Sequence, residues 1–398
     1  MLYFMKEKMQ CTGCSACYNL CPTKCITMEK DEEGFLYPIA SDRCVHCGKC
    51  ETVCSAVNKK NDGGNTLPEA YCALTKDNKV WKQSASGGAF TEICKAWNIG
   101  DSVFCGATWN GLNIEHKCVQ GIDNIGLLRR SKYVASDIKN VFREVKDYLM
   151  AGKRVVFCGT PCQVAGLKLF LGKEQENLLL IDLICHGVGS PKVFQVCVNT
   201  ISNQFGWQVC SYEFRAKRNA YQTDHLQKIK NKNGKVIYIE NDPYMQLFLS
   251  QQCLRPSCGK NCRFRSAQRQ GDITIADFKG LTNVFPDLNG SRKNYSSIIF
   301  NTPKGKSVIP QLSQSMKMRK CDIDDIKKYN PLFYRHTWSS EKRDLFFQEF
   351  VASPEQTVEK WCKPARISKE SLPRIIWRYL PSKLRKGILK LRAKVSTK

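Results

Sequence analysis

Acidic side chains, histidines and long apolar runs are scarce in this chain, and each shortage narrows what it can be. Its 398 residues carry 36 Asp and Glu against 62 Lys and Arg, a formal charge of +26. Such an excess points to acidic partners: a carrier protein, a phosphorylated ligand, an anionic membrane or nucleic acid. The cations concentrate towards the C-terminus and no recognised nucleic-acid module is visible, so nucleic acid is not the expected partner. Histidines number five. With no H-E-x-x-H and no G-x-S-x-G, hydrolytic chemistry has no support. Neither a G-x-G-x-x-G after a strand nor a G-x4-G-K-[ST] occurs, which removes the Rossmann fingerprint and the P-loop. The most apolar stretch, Leu178 to Val188, is short and contains Asp182 and His186. It reads as a buried strand, not a membrane span. The opening MLYFMKEKMQC has no apolar h-region, so no secretory leader is expected.

Cysteine, in contrast, is abundant, with 23 residues. Cys11-x2-Cys14-x2-Cys17-x3-Cys21 is followed by Pro22, and the same spacing returns as Cys44-x2-Cys47-x2-Cys50-x3-Cys54. In such paired runs, three closely spaced thiolates hold one 4Fe–4S cluster and the fourth reaches across to the other. Cys11, Cys14, Cys17 and Cys54 are therefore assigned to one cluster, and Cys44, Cys47, Cys50 and Cys21 to the second. A lone C-x2-C would suit zinc equally well, but two complete runs do not. Electrons are expected to move through this chain. The clusters need reduced thiolates, which fits a cytoplasmic setting. Each oxidised cubane with its thiolates carries about −2, so even three would leave the chain basic.

Residues 1–58 should form a ferredoxin-type α+β module with a small hairpin around Asp31-Glu32-Glu33, and Cys25 reads as a packing residue. Residues 59–70 read as a linker. From 71 to about 320 the texture is α/β. Val103–Cys105, Val155–Cys158, Leu178–Ile184, Ile237–Ile239, Ile273–Ile275 and Ser297–Phe300 look like strands. Between them, helices are expected over 137–150 and from Thr160-Pro161 and Ser190-Pro191, where a hydroxyl cap precedes proline. Strand and helix in alternation argue for a mixed sheet covered by helices. A helical extension over 321–362 should follow. In 363–398, twelve Lys or Arg accompany a single acid, Glu370, while Leu384, Ile388, Leu391 and Val395 share a helical face. Such a tail reads as an interfacial segment drawn to anionic lipid or an acidic partner, or as a basic helix packed on the core.

A second set of cysteines lies further along. Cys162 and Cys185 each fall where a strand pattern gives way to a turn, the place where ligands gather in open α/β sheets. Cys253, Cys258 and Cys262 follow in a polar loop. Alone, that loop could serve zinc, a redox pair or nothing; with Cys162 and Cys185 it offers five thiols for a third cluster. His186, beside Cys185, is a candidate proton shuttle or a buried, hydrogen-bonded histidine.

CGTPCQVAGL (158–167), DLICHGVGSP (182–191), CLRPSC (253–258) and GDITIADFKG (271–280) resemble the beta-subunit family of coenzyme F420 hydrogenases and dehydrogenases. SASGGAFT (84–91), SKYV (131–134) and NTPKG (301–305) extend the likeness, which runs in order from about residue 70 to 310. The resemblance implies an iron–sulfur flavoprotein in which FAD relays electrons between clusters and a two-electron substrate, a deazaflavin in the archaeal enzymes. Some bacterial members lie among polysaccharide-biosynthesis genes. Carried over, it makes Cys162, Cys185, Cys258 and Cys262 the ligands of a third 4Fe–4S cluster. The family usually has two residues between the last pair where this chain has three, which keeps Cys253 as a substitute. With a flavin implied, the Ser86-Gly87-Gly88 and Gly159-Thr160-Pro161 turns become candidate pyrophosphate cradles at helix starts. Gln163 lies beside the second turn. Lys132 and Tyr133 become candidates for phosphate neutralisation and ring stacking, with Asp277 and Lys279 as further contacts. The resulting expectation is an oxidoreductase acting on a small molecule and fed by an acidic ferredoxin. A non-catalytic electron-transfer subunit is the alternative.

Overall fold

The computed structural model describes residues 2–58, 67–218, 226–259, 262–289, 291, 293–334, 341–368, 380 and 384. The 59–66 part of the expected linker and nearly all of the tail beyond 368 lie outside them.

The N-terminal module contains one antiparallel hairpin, β1 (Ile26–Lys30) and β2 (Leu36–Ala40), with Ile26 opposite Ala40. Its acidic turn closes through Gly34 at φ +89, while Asp31 Oδ1 accepts the Phe35 N–H at 2.9 Å. Phe35 and Tyr37 then point inward and are buried.

The larger body is a mixed α/β structure built on an eight-stranded sheet. Its strands are β3 (Glu69–Thr75), β4 (Val103–Asn110), β5 (Asn113–Gln120), β6 (Val155–Cys158), β7 (Leu178–Leu183), and three further strands of the C-terminal half. A second sheet interrupts them in sequence: β8 (Val209–Ala216), β9 (Leu226–Asn231) and β10 (Val236–Glu240). The first sheet resumes with β11 (Ile273–Asp277), β12 (Ser296–Phe300) and β13 (Met316–Cys321). Its order is β13-β3-β12-β11-β7-β6-β4-β5, with β4, β6, β7 and β11 parallel and the remainder antiparallel. The central strands Val155-Val156-Phe157 and Leu178–Ile181 are continuously apolar and buried, as strands covered on both faces must be.

Two helices start as their sequences dictate. Pro161–Leu171 opens on a reciprocal Thr160/Gln163 capping box, and Pro191–Phe205 opens with the Ser190 side chain accepting the Val193 N–H. The helix expected over 137–150 is shorter, Val141–Met150. The Asp137 side chain takes the Lys139 N–H and Lys139 adopts φ +49, so a turn precedes the helix.

The second sheet, β14-β10-β9-β8, is antiparallel and ends on a two-residue strand, β14 (Arg366–Ile367). The start of the expected tail thus pairs with the folded body. Trp109 on β4 packs against Phe214 at 5.9 Å and Phe194 at 5.8 Å between ring centroids, joining the two sheets through one aromatic core.

The module is bolted to the body. Arg143 donates to the carbonyls of Asn19 (2.7 Å) and Tyr18 (2.8 Å), and Asn19 Nδ2 returns a bond to Lys139 O at 2.9 Å. Arg343 pairs with Glu33, the two side chains being 13% and 15% exposed. Gly166 faces Cys14 so closely that a Cβ there would meet Cys14 Sγ at 2.9 Å.

Outside the expected cluster ligands, Cys105 and Cys118, register partners on β4 and β5, are joined as a disulfide. Among the described residues no helix is long and apolar enough to cross a membrane.

Candidate functional site

The cysteines assigned to the first cluster lie near one another. Cys14 and Cys17 each lie within electrostatic reach of Cys11 and Cys54, and burial pushes the Cys14 thiol up to about 11. In the second run, Cys50 faces Cys44 and Cys47. Cys21 stands beside them through Cys25, whose sulfur is 3.4 Å from Cys21 Sγ and which also reaches Cys44. Cys25 is buried, as a packing residue would be, but it lies against the second thiol set. Cys47 is exposed.

The C-terminal ends of β6 and β7 place Cys162 and Cys185 side by side, and Cys258 and Cys262 come to meet them. All four line a cavity of about 480 Å³, which Thr12 and Ala56 of the module also line. Cys162 occupies the second position of the helix Pro161–Leu171, at its partially positive end. The Gly187 N–H donates to Cys185 Sγ at 3.3 Å, and Thr160 Oγ1 lies 3.1 Å from Cys162 Sγ. Burial, then neighbouring thiols, pushes Cys185 up to about 12 and Cys258 up to about 11. Neutral thiols of this kind become ligands when a cationic metal core supplies the compensating charge. Three arginines share the wall: Arg263, Arg265 and Arg269. Arg265 is 5% exposed, donates from Nη2 to His186 O at 2.6 Å, and leaves Nη1 without a hydrogen-bond partner. A buried guanidinium with one nitrogen unpartnered, its charge felt at Cys185 and Cys258, suits an anionic cubane. Among the described residues, no three His, Cys, Asp or Glu side chains converge on a single ion.

Cys253 does not join this group. It is fully buried against Cys197, Cys362 and Tyr244, and its carbonyl accepts the Ser190 N–H at 2.8 Å. Its role is packing, and it is withdrawn as a substitute ligand. Of the two readings of His186, the structure shows the buried, hydrogen-bonded one. Burial holds its pKa down at about 4, Nε2 bonds Phe248 O at 3.0 Å, and its ring packs on Phe248. A neutral ring tied to a backbone carbonyl is an anchor, not a shuttle.

The two expected phosphate cradles are closed. Gly87 donates its N–H to Ser296 Oγ at 2.9 Å, and Thr75 N–H bonds Gly87 O at 2.8 Å. A Cβ on Gly87 would stand 2.4 Å from Ala73 O, so this glycine serves the approach of β3 and β12. Gly88 caps its helix at φ +94, and Ser86 Oγ donates to Tyr295 O. At the other turn, Gly159 N–H bonds Ile181 O, while Thr160 N–H bonds Gln163 Oε1. Pro161 has no N–H to give, and Gln163 Nε2 is spent on Ser136. Nor is the Tyr133 ring free to stack, because it packs between Phe214 and Phe248 at 5.4 and 4.9 Å.

What those segments do assemble is a cationic crescent about Arg130, whose charge reaches both Lys132 and Lys217. Lys132 is half-buried near Cys158 with Nζ on Arg129 O at 2.6 Å, and desolvation brings its pKa down to about 7. Arg215, buried and held at φ +53, bonds Asp277 at 2.7 Å and keeps Nε unpartnered. Lys217 donates to Trp81 O (2.8 Å) and Ser86 O (2.9 Å), 4.0 Å above the Trp81 ring. Burial, reinforced by Arg215 and Arg130, brings it to about 7 as well. Lys279 is exposed. Arg215 and Lys217 went unnoticed in the sequence, though the run FRAKR (214–218) carries the signal.

Residues 152–326 match the family described as the C terminus of the coenzyme F420 hydrogenase/dehydrogenase beta subunit, and residues 10–57 match the 4Fe–4S dicluster domain. No curated protein matches the chain. Among solved structures, a chain of the F420-reducing NiFe hydrogenase complex from Methanosarcina barkeri is similar at a TM-score of 0.43 and 16% identity, over 73% of this chain and 92% of that one.

Proposed function

We propose that this chain, whose residues 10–57 match a 4Fe–4S dicluster domain and whose residues 152–326 match the C terminus of the coenzyme F420 hydrogenase/dehydrogenase beta subunit, is a three-cluster iron–sulfur flavin oxidoreductase. One observation carries the reading: the thiol quartet Cys162, Cys185, Cys258 and Cys262 lines a cavity that Thr12 and Ala56 of the module also line. Clusters supply single-electron transfer, and FAD supplies the exchange between one-electron and two-electron chemistry. The residues themselves perform the arrangement. Cys11, Cys14, Cys17 and Cys54 would hold the inner cluster of the module; Cys44, Cys47, Cys50 and Cys21 would hold the other, where Cys47 is exposed. Arg265 faces Cys185 and Cys258 and offsets negative charge there. Lys132, Arg215 and Lys217 would bind the phosphates of FAD or of an anionic substrate, with Asp277 holding Arg215 in place. Arg43, His46 and Lys49 around exposed Cys47 suit docking of an acidic ferredoxin.

The test is anaerobic purification with iron, sulfide and flavin quantified on one sample. About twelve irons and one FAD per chain are expected. About eight irons would leave the dicluster domain alone, and failure to take up FAD on reconstitution would refute the flavin. Turnover with reduced ferredoxin and a deazaflavin or sugar substrate, without added protein, separates an enzyme from a relay subunit.

A further inference from the structure

One buried cation stands between the two inner thiol sets. Arg255 is 3% exposed. Its Nε donates to Cys11 O at 2.8 Å and its Nη2 to Leu36 O at 2.9 Å, both across the seam between body and module. The guanidinium lies 4.2 Å from the Tyr37 ring centroid and 5.4 Å from that of Phe35, so two apolar rings shield it from water. Gly13, in the first cysteine run at φ +71, lies so close that a Cβ there would meet Nη1 at 2.8 Å. The charge reaches the Cys11 side chain on one side and Cys258, three residues along its own loop, on the other. None of the ion pairs among the described residues joins Arg255 to a carboxylate.

A permanent charge at such a place acts on whatever negative charge gathers at either thiol set. Guanidinium stays protonated throughout the working pH range, and low-dielectric surroundings lengthen its reach. Reduction adds an electron to an already anionic cluster, and a nearby cation favours that step. We propose that Arg255 is a shared counter-charge, a positioning residue that raises the reduction potentials of the cluster on the Cys11 set and the cluster on the Cys258 set together. This rests on the third cluster proposed above. A purely mechanical role, pinning the seam through Cys11 O and Leu36 O, would leave potentials unchanged once iron is bound.

The full-length, anaerobically reconstituted protein is compared with Arg255→Gln and Arg255→Lys by iron content and by redox titration followed with electron paramagnetic resonance. Signals are assigned by the loss that Cys258→Ser produces. In Arg255→Gln, both inner clusters should become harder to reduce by about tenfold in the reduced-to-oxidised ratio at fixed potential, about 59 mV for a one-electron couple. The Cys44-set cluster should stay in place. Arg255→Lys keeps the charge on a group that cannot span both carbonyls, so its shift should be smaller and in the same direction. Should Arg255→Gln lose iron, the lysine variant decides. Unchanged inner potentials with about twelve irons overturn the inference, as does an equal shift of all three clusters. About eight irons in the wild type overturn the third cluster instead, a separate failure.

Discussion

Ligand binding at the cationic crescent should draw protons from solution, and the amount follows from two lysines. Lys132 faces Cys158 and Arg130; Lys217 faces Arg215, Arg130, Asp277 and Lys293. Burial lowers each to about 7. At pH 7 each is therefore about half charged, at pH 6 about nine-tenths, and at pH 8.5 about 3%. A phosphate diester seated against them holds both in the ammonium form. Binding at pH 7 should then take up about half a proton per lysine. Affinity should weaken as pH rises, by about 30-fold per lysine between pH 6 and 8.5, or about 2 kcal/mol each. Calorimetric titration of FAD into cluster-loaded, flavin-free protein would measure this, using two pH 7 buffers of different ionisation enthalpy and then Kd at the two extremes. Lys132→Met and Lys217→Met should each remove one share of the uptake. An affinity that rises with pH, or a binding enthalpy independent of the buffer, would refute the assignment of these lysines to the ligand. The same burial acts on stability. Between about pH 7 and the ordinary lysine value the unfolded chain binds more protons than the folded one, so these two lysines make the ligand-free fold more stable as pH rises.

Three further outcomes follow from the geometry. Cys258→Ser should lower iron from about twelve to about eight per chain while leaving the dicluster signals, read by iron assay and paramagnetic resonance. Gly87→Ala should destabilise the fold by about 2–4 kcal/mol in denaturant melts, because its Cβ would strike two backbone atoms, Ala73 O and Ser296 N; a loss of flavin without loss of stability would return that turn to the ligand. Arg343→Ala should cost about 3 kcal/mol, because it strands Glu33 in a largely buried pocket where burial already raises its pKa. Limited proteolysis around residue 58 should report that loosening.

The sequence made some features legible because they are local. Fixed cysteine intervals dictate cluster sharing, and Thr160-Pro161 and Ser190-Pro191 dictate helix starts, each within a few residues. The apolar runs of β6 and β7 announced parallel, doubly covered strands. β8 and β9 escaped notice because their inward residues, Tyr212, Phe214 and Ile229, alternate with polar ones, and the pattern gains meaning only against Trp109 and Phe194 from elsewhere in the chain. The glycine turns were misread for a related reason. Gly87 and Gly159 fit a phosphate cradle as well as a crowded strand crossing, and only the positions of Ala73, Ser296 and Ile181 tell them apart. Arg215, Lys217 and Arg255 do not stand out among 62 Lys and Arg residues. Their importance lies in burial, which neither composition nor spacing reports.

The contact between Gly166 and Cys14 bears on modularity. The cysteine runs look like a cassette that could be lifted out at residue 58 and exchanged for another ferredoxin. With no room even for a methyl group at Gly166, and with Asn19, Glu33 and Cys11 O gripped by side chains from residues 139–343, the cassette has been machined to this one socket. A graft would have to bring the socket with it, so the unit available for recombination is the module together with the body that grips it, not the ferredoxin-like piece that its sequence advertises.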